Sequence, residues 1–253
     1  MPIVSILVPV YNRELLIART LQSALAQTVP DIEVVVVDNQ STDRTFDVVA
    51  AMAEQDKRIK LFRNPENLGP VRNWIKCAEY ACAPYAKILF SDDLMAPTYI
   101  ERTLPHLLSP DCALVYTPAM VGHADWTGGV HYKAFLSDCK FARDAFVRAA
   151  THMEHFTPVS PGAALFRTAD LRKHILQTLP GVQGYDFLRY GAGVDWLIYT
   201  LTALNYAHVA YVADPLVYFH AHAGSISIHN EDNQVPTGYA LAKKWLCATV
   251  KGL

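Results

Sequence analysis

Charge is scarce in this sequence. Only 18% of its 253 residues are Asp, Glu, Lys or Arg, against about 25% in soluble domains. The 22 basic and 24 acidic residues give a formal net charge of −2, which leaves no basic excess for a nucleic-acid backbone. With 51% hydrophobic residues the chain is not of the disordered class. Yet no apolar run approaches the ~20 residues that cross a bilayer. The five cysteines (Cys77, Cys82, Cys112, Cys139, Cys247) are odd in number and lack C-x2-C spacing. That excludes a disulfide framework and a paired-cysteine zinc site, and reads as scattered thiols in a reducing compartment. No basic segment precedes an apolar one after Met1. The expectation is a cytoplasmic protein, at the inner face of the cytoplasmic membrane if it touches one.

Several motifs are also missing. There is no G-x-G-x-x-G and no G-x-x-x-x-G-K-[ST], which disfavours dinucleotide-binding and P-loop chemistry. There is no G-x-S-x-G elbow. His220, His222 and His229 do not have the H-E-x-x-H spacing. Linkers, repeats and low-complexity tracts are absent, so the length fits one large domain with at most a short appendage.

What is present alternates. Residues 3–8, 32–37, 59–62, 86–90 and 112–116 are short apolar runs that read as strands. Residues 14–26, 43–54, 71–82 and 97–108 carry helical patterns between them. This is the signature of an α/β sheet with right-handed crossovers, whose ligands bind beyond the carboxyl ends of the strands. Polar clusters stand there: Tyr11-Asn12-Arg13, Asp38-Asn39 and Ser91-Asp92-Asp93. The second half is less regular. Helices are expected over 141–150, 195–204 and 236–250, strands over 209–212 and 216–219, and a loop over 220–233.

Each candidate has two readings. Asp92-Asp93 is either a solvated turn before a helix or a carboxylate pair that a hard divalent cation neutralises. Asp38 is a turn residue or an acceptor for a base N–H. Tyr11 is an exposed tyrosine or a stacking surface, and Arg72 a solvated arginine or a phosphate contact.

The ordered blocks carry a resemblance. VSILVPVYNR (residues 4–13), VDNQSTDRT (37–45), NPENLG followed by Arg72-Asn73, and LFSDD (89–93) resemble the successive motifs of family 2 glycosyltransferases. The resemblance is good over about residues 3–110 and weaker beyond. It implies a GT-A fold, an α/β architecture with a mostly parallel central sheet flanked by helices. It also implies a nucleotide-sugar donor, a UDP-sugar foremost, and Mn2+ or Mg2+. Matched by position, Pro9, Tyr11 and Asp38 would hold the base, and Asn67 and Arg72 the nucleotide. Arg13 and Ser91 fall in the same donor-binding blocks. Asp92 would lie near ribose and metal, and Asp93 would be the metal ligand. Asp195, in Gly193-Val194-Asp195-Trp196, matches the acidic catalytic base at a helix start, with Val194 where Glu is usual. His222, before Gly224-Ser225-Ile226-Ser227, would approach the metal or diphosphate. Two departures stand out: Asn39-Gln40 where Asp-Gly is common, and Phe90 where a first acid is frequent.

The resemblance divides the chain into a nucleotide-sugar-binding half (1–116) and an acceptor-binding half (117–225), followed by a loop and helix (226–253). The expected activity is inverting, metal-dependent transfer to a hydroxyl of a glycan or lipid-linked acceptor of the bacterial surface-glycan kind. Acceptor contacts are expected from 123–129, 152–162 and 181–193, with Trp126 and Tyr185 as sugar-stacking candidates. The last helix, with Leu241, Trp245, Lys243 and Lys244, either lies on an anionic membrane or packs on the domain. A nucleotidyltransferase and a non-catalytic nucleotide-sugar-binding module remain as rival readings.

Overall fold

A computed structural model describes residues 1–222 and 234–250. The first half follows the apolar runs. Strand β1 (Val4–Val10) is buried at every position, as is β2 (Ile32–Asp38), the pattern of parallel strands covered on both faces. Between them α1 (Ile17–Leu25) buries Ile17, Thr20, Leu21 and Ala24, the three- and four-residue spacing of one helix face. Leu15, within the 14–26 stretch expected to be helical, lies before the helix and is 89% exposed. Next come α2 (Thr45–Gln55), β3 (Ile59–Arg63), α3 (Pro70–Tyr80), β4 (Tyr85–Ile88), the two-residue β5 (Leu94–Met95), α4 (Tyr99–Leu107) and β6 (Cys112–Tyr116). Pro70 stands in the first turn of α3, where its missing N–H costs nothing.

The second half contributes β7 (Ala119–Gly122), β8 (Gly129–His131), β9 (Cys139–Ala142), α5 (Arg143–Thr151), β10 (Ala164–Arg167), α6 (Thr168–His174), α7 (Phe187–Tyr190), α8 (Val194–Ala203), β11 (His208–Tyr211), β12 (Val217–His220) and α9 (Gln234–Thr249). The helix expected over 141–150 begins later. Residues 139–142 are drawn into strand β9 by antiparallel pairing with β11, a partner that local sequence does not reveal. Strands β5, β7 and β8 and helix α6 were likewise not foreseen.

One sheet runs β3-β2-β1-β4-β10-β6-β11-β9 and a smaller one β5-β12-β7-β8. β1 pairs in parallel with both β2 and β4. β10 is antiparallel to its neighbours β4 and β6. Chain order therefore runs outward from β1 toward β3 on one side and resumes at β4 on the other. That reversal is the topological switch point at which α/β sheets bind ligands. The halves on either side of residue 116 share this sheet, because β10, β11 and β9 extend it. Helix α9 buries Gly238, Ala242 and Leu246, with Leu241 and Trp245 packed on the same core. The apolar side that the membrane reading would lay on lipid thus covers the domain. Residues 223–233, including most of the expected loop over 220–233 and the Gly-Ser-x-Ser run after His222, lie outside the described residues.

Candidate active site

The polar clusters after β1, β2 and β4 meet because three parallel strands end side by side. The loop after β1 is laced to the loop after β2. Asn12 N donates to Ser41 Oγ at 3.0 Å, Arg13 N to Thr45 Oγ1 at 2.7 Å and Glu14 N to Asp43 Oδ2 at 3.1 Å. Asp43 also accepts from Thr45 N at 2.9 Å, just ahead of α2. Gln40, where glycine is common in the resembling motif, has φ 62°. The turn keeps the left-handed shape that glycine adopts without strain.

Asn39 is the hub of the next link. Its Nδ2 donates to Asn67 Oδ1 at 2.8 Å and to Gly69 O at 3.3 Å. Its Oδ1 accepts from Asn64 Nδ2 at 2.9 Å and Leu68 N at 3.0 Å. Asn64 also donates to Asn73, which donates on to Val37 O. A carboxylate at position 39 has no hydrogen to give Asn67 or Gly69, so Asn in place of Asp here serves a network that needs both donor and acceptor.

These loops wall a cleft of about 700 Å³. Pro9, Tyr11, Arg13, Asn39, Asn67, Ser91, Asp92, Asp93 and Asp195 all line it. Three expected residues do not. Asp38 is fully buried behind the wall, where it accepts from Ser41 N and pairs with Arg63 Nε at 3.1 Å. Arg72 lies in an adjoining groove with Asn67, Asp186 and Arg189, because its side of α3 faces away from the cleft. His222 reaches the site indirectly, through Nε2 at 2.8 Å from Asp92 Oδ2.

Asp92 is engaged on the same oxygen by Arg13 Nε at 3.3 Å. Asp93, 7% exposed, accepts from His220 N at 3.0 Å. Burial and the neighbouring Asp92 charge hold its carboxyl well above the usual range, the condition a cation relieves. Among the described residues no cluster of three or more His, Cys, Asp or Glu is gathered for a metal. A carboxylate pair without a cage still suits Mg2+ or Mn2+, which takes one or two protein carboxylates and fills its shell with water and phosphate oxygens. The residues present therefore fit such an ion. Phe90, at the position of the frequent first acid, lines the cleft beside Trp74, ring centroids 5.6 Å apart. It gives an apolar wall where the family pattern has charge.

At the other end stands Asp195, in the first turn of α8. Its Oδ1 accepts from Gly193 N at 2.8 Å and Trp196 N at 2.7 Å, and its Oδ2 from Tyr239 Oη at 2.6 Å. Burial pushes its carboxyl up to about 7, against the downward pull of those three hydrogen bonds.

Of the segments expected to meet an acceptor, only their ends reach the cleft: Val159 to Pro161 and Tyr190 to Ala192. No residue of 123–129 lines it. Trp126 packs on Tyr218, and Tyr185 on Phe187 and Tyr190. Tyr132, Phe219 and Tyr239 line the cleft unforeseen. Tyr132 does so with φ 62°, a conformation rare for a bulky residue and frequent at functional sites. No spacing in the sequence marks these three.

The profile of glycosyl transferase family 2 matches residues 5–175, and the chain belongs to that family. It is 36% identical over 108 residues to an uncharacterized glycosyltransferase of Haemophilus influenzae, covering 43% of each chain. It is 34% identical over 94 residues to the GalNAc(5)-diNAcBac-PP-undecaprenol beta-1,3-glucosyltransferase of Campylobacter jejuni, covering 37% of this chain and 30% of that one. The crystal structure of S. aureus TarS 1–349 with UDP-GlcNAc superposes with a TM-score of 0.70 at 21% identity, over 90% of this chain and 61% of that chain. That likeness is one of fold, and the fold is GT-A. The chain spans under half the length of these curated relatives. No helix among the described residues is long and apolar enough to cross a membrane.

Proposed function

We propose that this chain is an inverting glycosyltransferase. It moves a sugar from a nucleotide-diphosphate donor, a UDP-sugar foremost, to a hydroxyl of a glycan or lipid-linked acceptor. The observation that carries this reading is a single cleft at the β1/β4 switch point lined by both the Asp92-Asp93 pair and Asp195. The relatives' names support it too: one is a glucosyltransferase acting on an undecaprenol-linked glycan, and TarS was crystallised with UDP-GlcNAc.

The chemistry exchanges one bond at the anomeric carbon for another. The bond to the diphosphate oxygen breaks, and its electron pair leaves with the nucleoside diphosphate. The acceptor oxygen forms the new bond from the opposite face, and its proton passes to Asp195. With no enzyme nucleophile in the path, one in-line displacement inverts the centre. A carboxyl titrating at about 7 is basic enough to take that proton and is still ionised in neutral to alkaline solution. Pro9, Tyr11 and Asn39 are assigned to the base, with Asp38 supporting them from behind through Ser41 and Arg63. Asp93, with Asp92, would hold a divalent ion, which when bound supplies positive charge to the leaving diphosphate.

A thermal-shift screen of nucleotide sugars with Mn2+ names the donor. Asp195→Asn is then expected to keep donor binding while turnover falls by about 10²–10⁴-fold. Near-normal turnover in that variant removes Asp195 from the base role.

A further inference from the structure

Helix α9 is more than a tail covering the core, because it supplies a side chain to the candidate base. We propose that Tyr239 is a positioning residue whose hydroxyl fixes the Asp195 carboxylate and stabilises its ionised form, which makes α9 part of the reaction apparatus. The proposal rests on the reading of Asp195 as general base.

The carboxylate of Asp195 has about four acceptor positions. Gly193 N and Trp196 N occupy Oδ1, and Tyr239 Oη takes one position on Oδ2 at 2.6 Å. One position on Oδ2 is left for the acceptor hydroxyl. The two backbone donors belong to Asp195's own helix start and come with the fold of α8. The third comes from an element more than forty residues away, so its placement depends on how α9 docks.

That docking is tightly defined. A side chain at Gly238 would bring its Cβ to 2.4 Å from Tyr185 Oη and 2.5 Å from Ala192 O. A Cβ at Gly193, whose φ is 92°, would stand 2.6 Å from Gly238 O. Two glycines thus let the backbones of α9 and the α8 start approach directly. Tyr185 Oη donates to Gln234 O at 2.8 Å and ties down the first turn of α9, and Ala242 and Leu246 are buried further along.

The titratable groups facing Asp195 are phenols: Tyr239 on α9, Tyr199 on α8, Tyr185 before α7 and Tyr132 after β8. Among the described residues, the groups that act on the carboxylate are hydrogen-bond donors, not cations. Its ionised form therefore depends on donated hydrogen bonds, and a hydrogen bond to a charged acceptor is worth more than a neutral one.

The test is a titration of the full chain labelled with [γ-13C]aspartate, with the Asp195 signal assigned by its loss in Asp195→Asn. In Tyr239→Phe, which keeps the ring, the Asp195 midpoint is expected to rise by about one pH unit. Gly238→Ala, whose added methyl pushes α9 off Tyr185 and Ala192 while the Tyr239 hydroxyl is retained, is expected to move it in the same direction. An unchanged midpoint in folded Tyr239→Phe overturns the proposal. Nucleoside diphosphate release gives the second readout. The Tyr239→Phe deficit should be roughly tenfold in kcat below both midpoints and shrink as pH rises, whereas a merely structural defect would be the same at every pH. Near-normal release by Asp195→Asn would instead sink the base reading, and the NMR midpoint would still decide whether Tyr239 holds the carboxylate.

Discussion

Asp195 carries two burdens that can be measured apart. Its carboxyl titrates at about 7 in the folded chain and near 3.9 when unfolded. The unfolded state gives up that proton first, so the folded state loses stability as pH rises from about 4 through 7. Asp195→Asn removes the liability, since an amide keeps an oxygen for Gly193 N and Trp196 N and offers a donor to the Tyr239 hydroxyl. The variant is expected to melt roughly 8 °C above the parent at pH 8 and within about 2 °C of it at pH 4.5. A pH-independent difference in calorimetric Tm would contradict the assignment. Asn39 makes the opposite case, of a residue whose identity matters for structure. Asn39→Asp restores the acid of the family pattern but sets a buried carboxylate against Asn67 Oδ1 and Gly69 O, at a cost of about 1–3 kcal/mol. The urea midpoint should fall accordingly, and an unchanged midpoint would mean that the network tolerates the acid. That Asp92 and Asp93 would line a cleft was legible because they follow an apolar strand, and Asp195 entered only through its match to the family's motif at a helix start. Asn39's network and the Tyr239 contact were not legible, because both are contacts between residues distant in sequence.

The elements that build the wall of the cleft formed by the first half are those that local pattern announces. β1, β2 and β3 are apolar runs ended by turn residues, and α1 and α3 bury faces at helical spacing. The elements that close the other wall are set by partners. β9 exists because β11 is there to pair with it, and α9 takes its orientation from the glycine approach at the start of α8. The lysines and apolar side chains of α9 are equally compatible with a lipid surface until the tertiary contacts of Ala242 and Leu246 are known. Leu246, fully buried, should therefore behave as a core residue. Leu246→Ala is expected to cost about 2–4 kcal/mol in urea unfolding, with nucleoside diphosphate affinity unchanged, since Pro9, Tyr11 and Asn39 lie on other elements. A loss below about 0.5 kcal/mol would mean that α9 is not docked in solution as it is here.

Across the whole molecule, the scarcity of charge has a structural cause. A sheet covered on both faces takes uncharged strands such as 34–37, while Asp92, Asp93 and Asp195 are gathered at one cleft where the chain order reverses. Two of those carboxylates are adjacent, and Asp93 is buried and held above its ordinary range. An anionic diphosphate entering such a cleft meets repulsion unless a cation comes with it. Donor binding should consequently be a property of the donor and ion together. In isothermal calorimetry a nucleoside diphosphate is expected to bind at least tenfold more tightly with Mn2+ than with EDTA. Asp93→Ala should erase most of that difference, since the remaining carboxylate, Asp92, is engaged by Arg13 and His222. The same ligands should raise the Tm of the parent in proportion to RT ln(1 + [L]/Kd), and the Mn2+-dependent part of that rise should vanish in the variant. Equal affinity with and without Mn2+ in the parent would detach the carboxylate pair from metal binding.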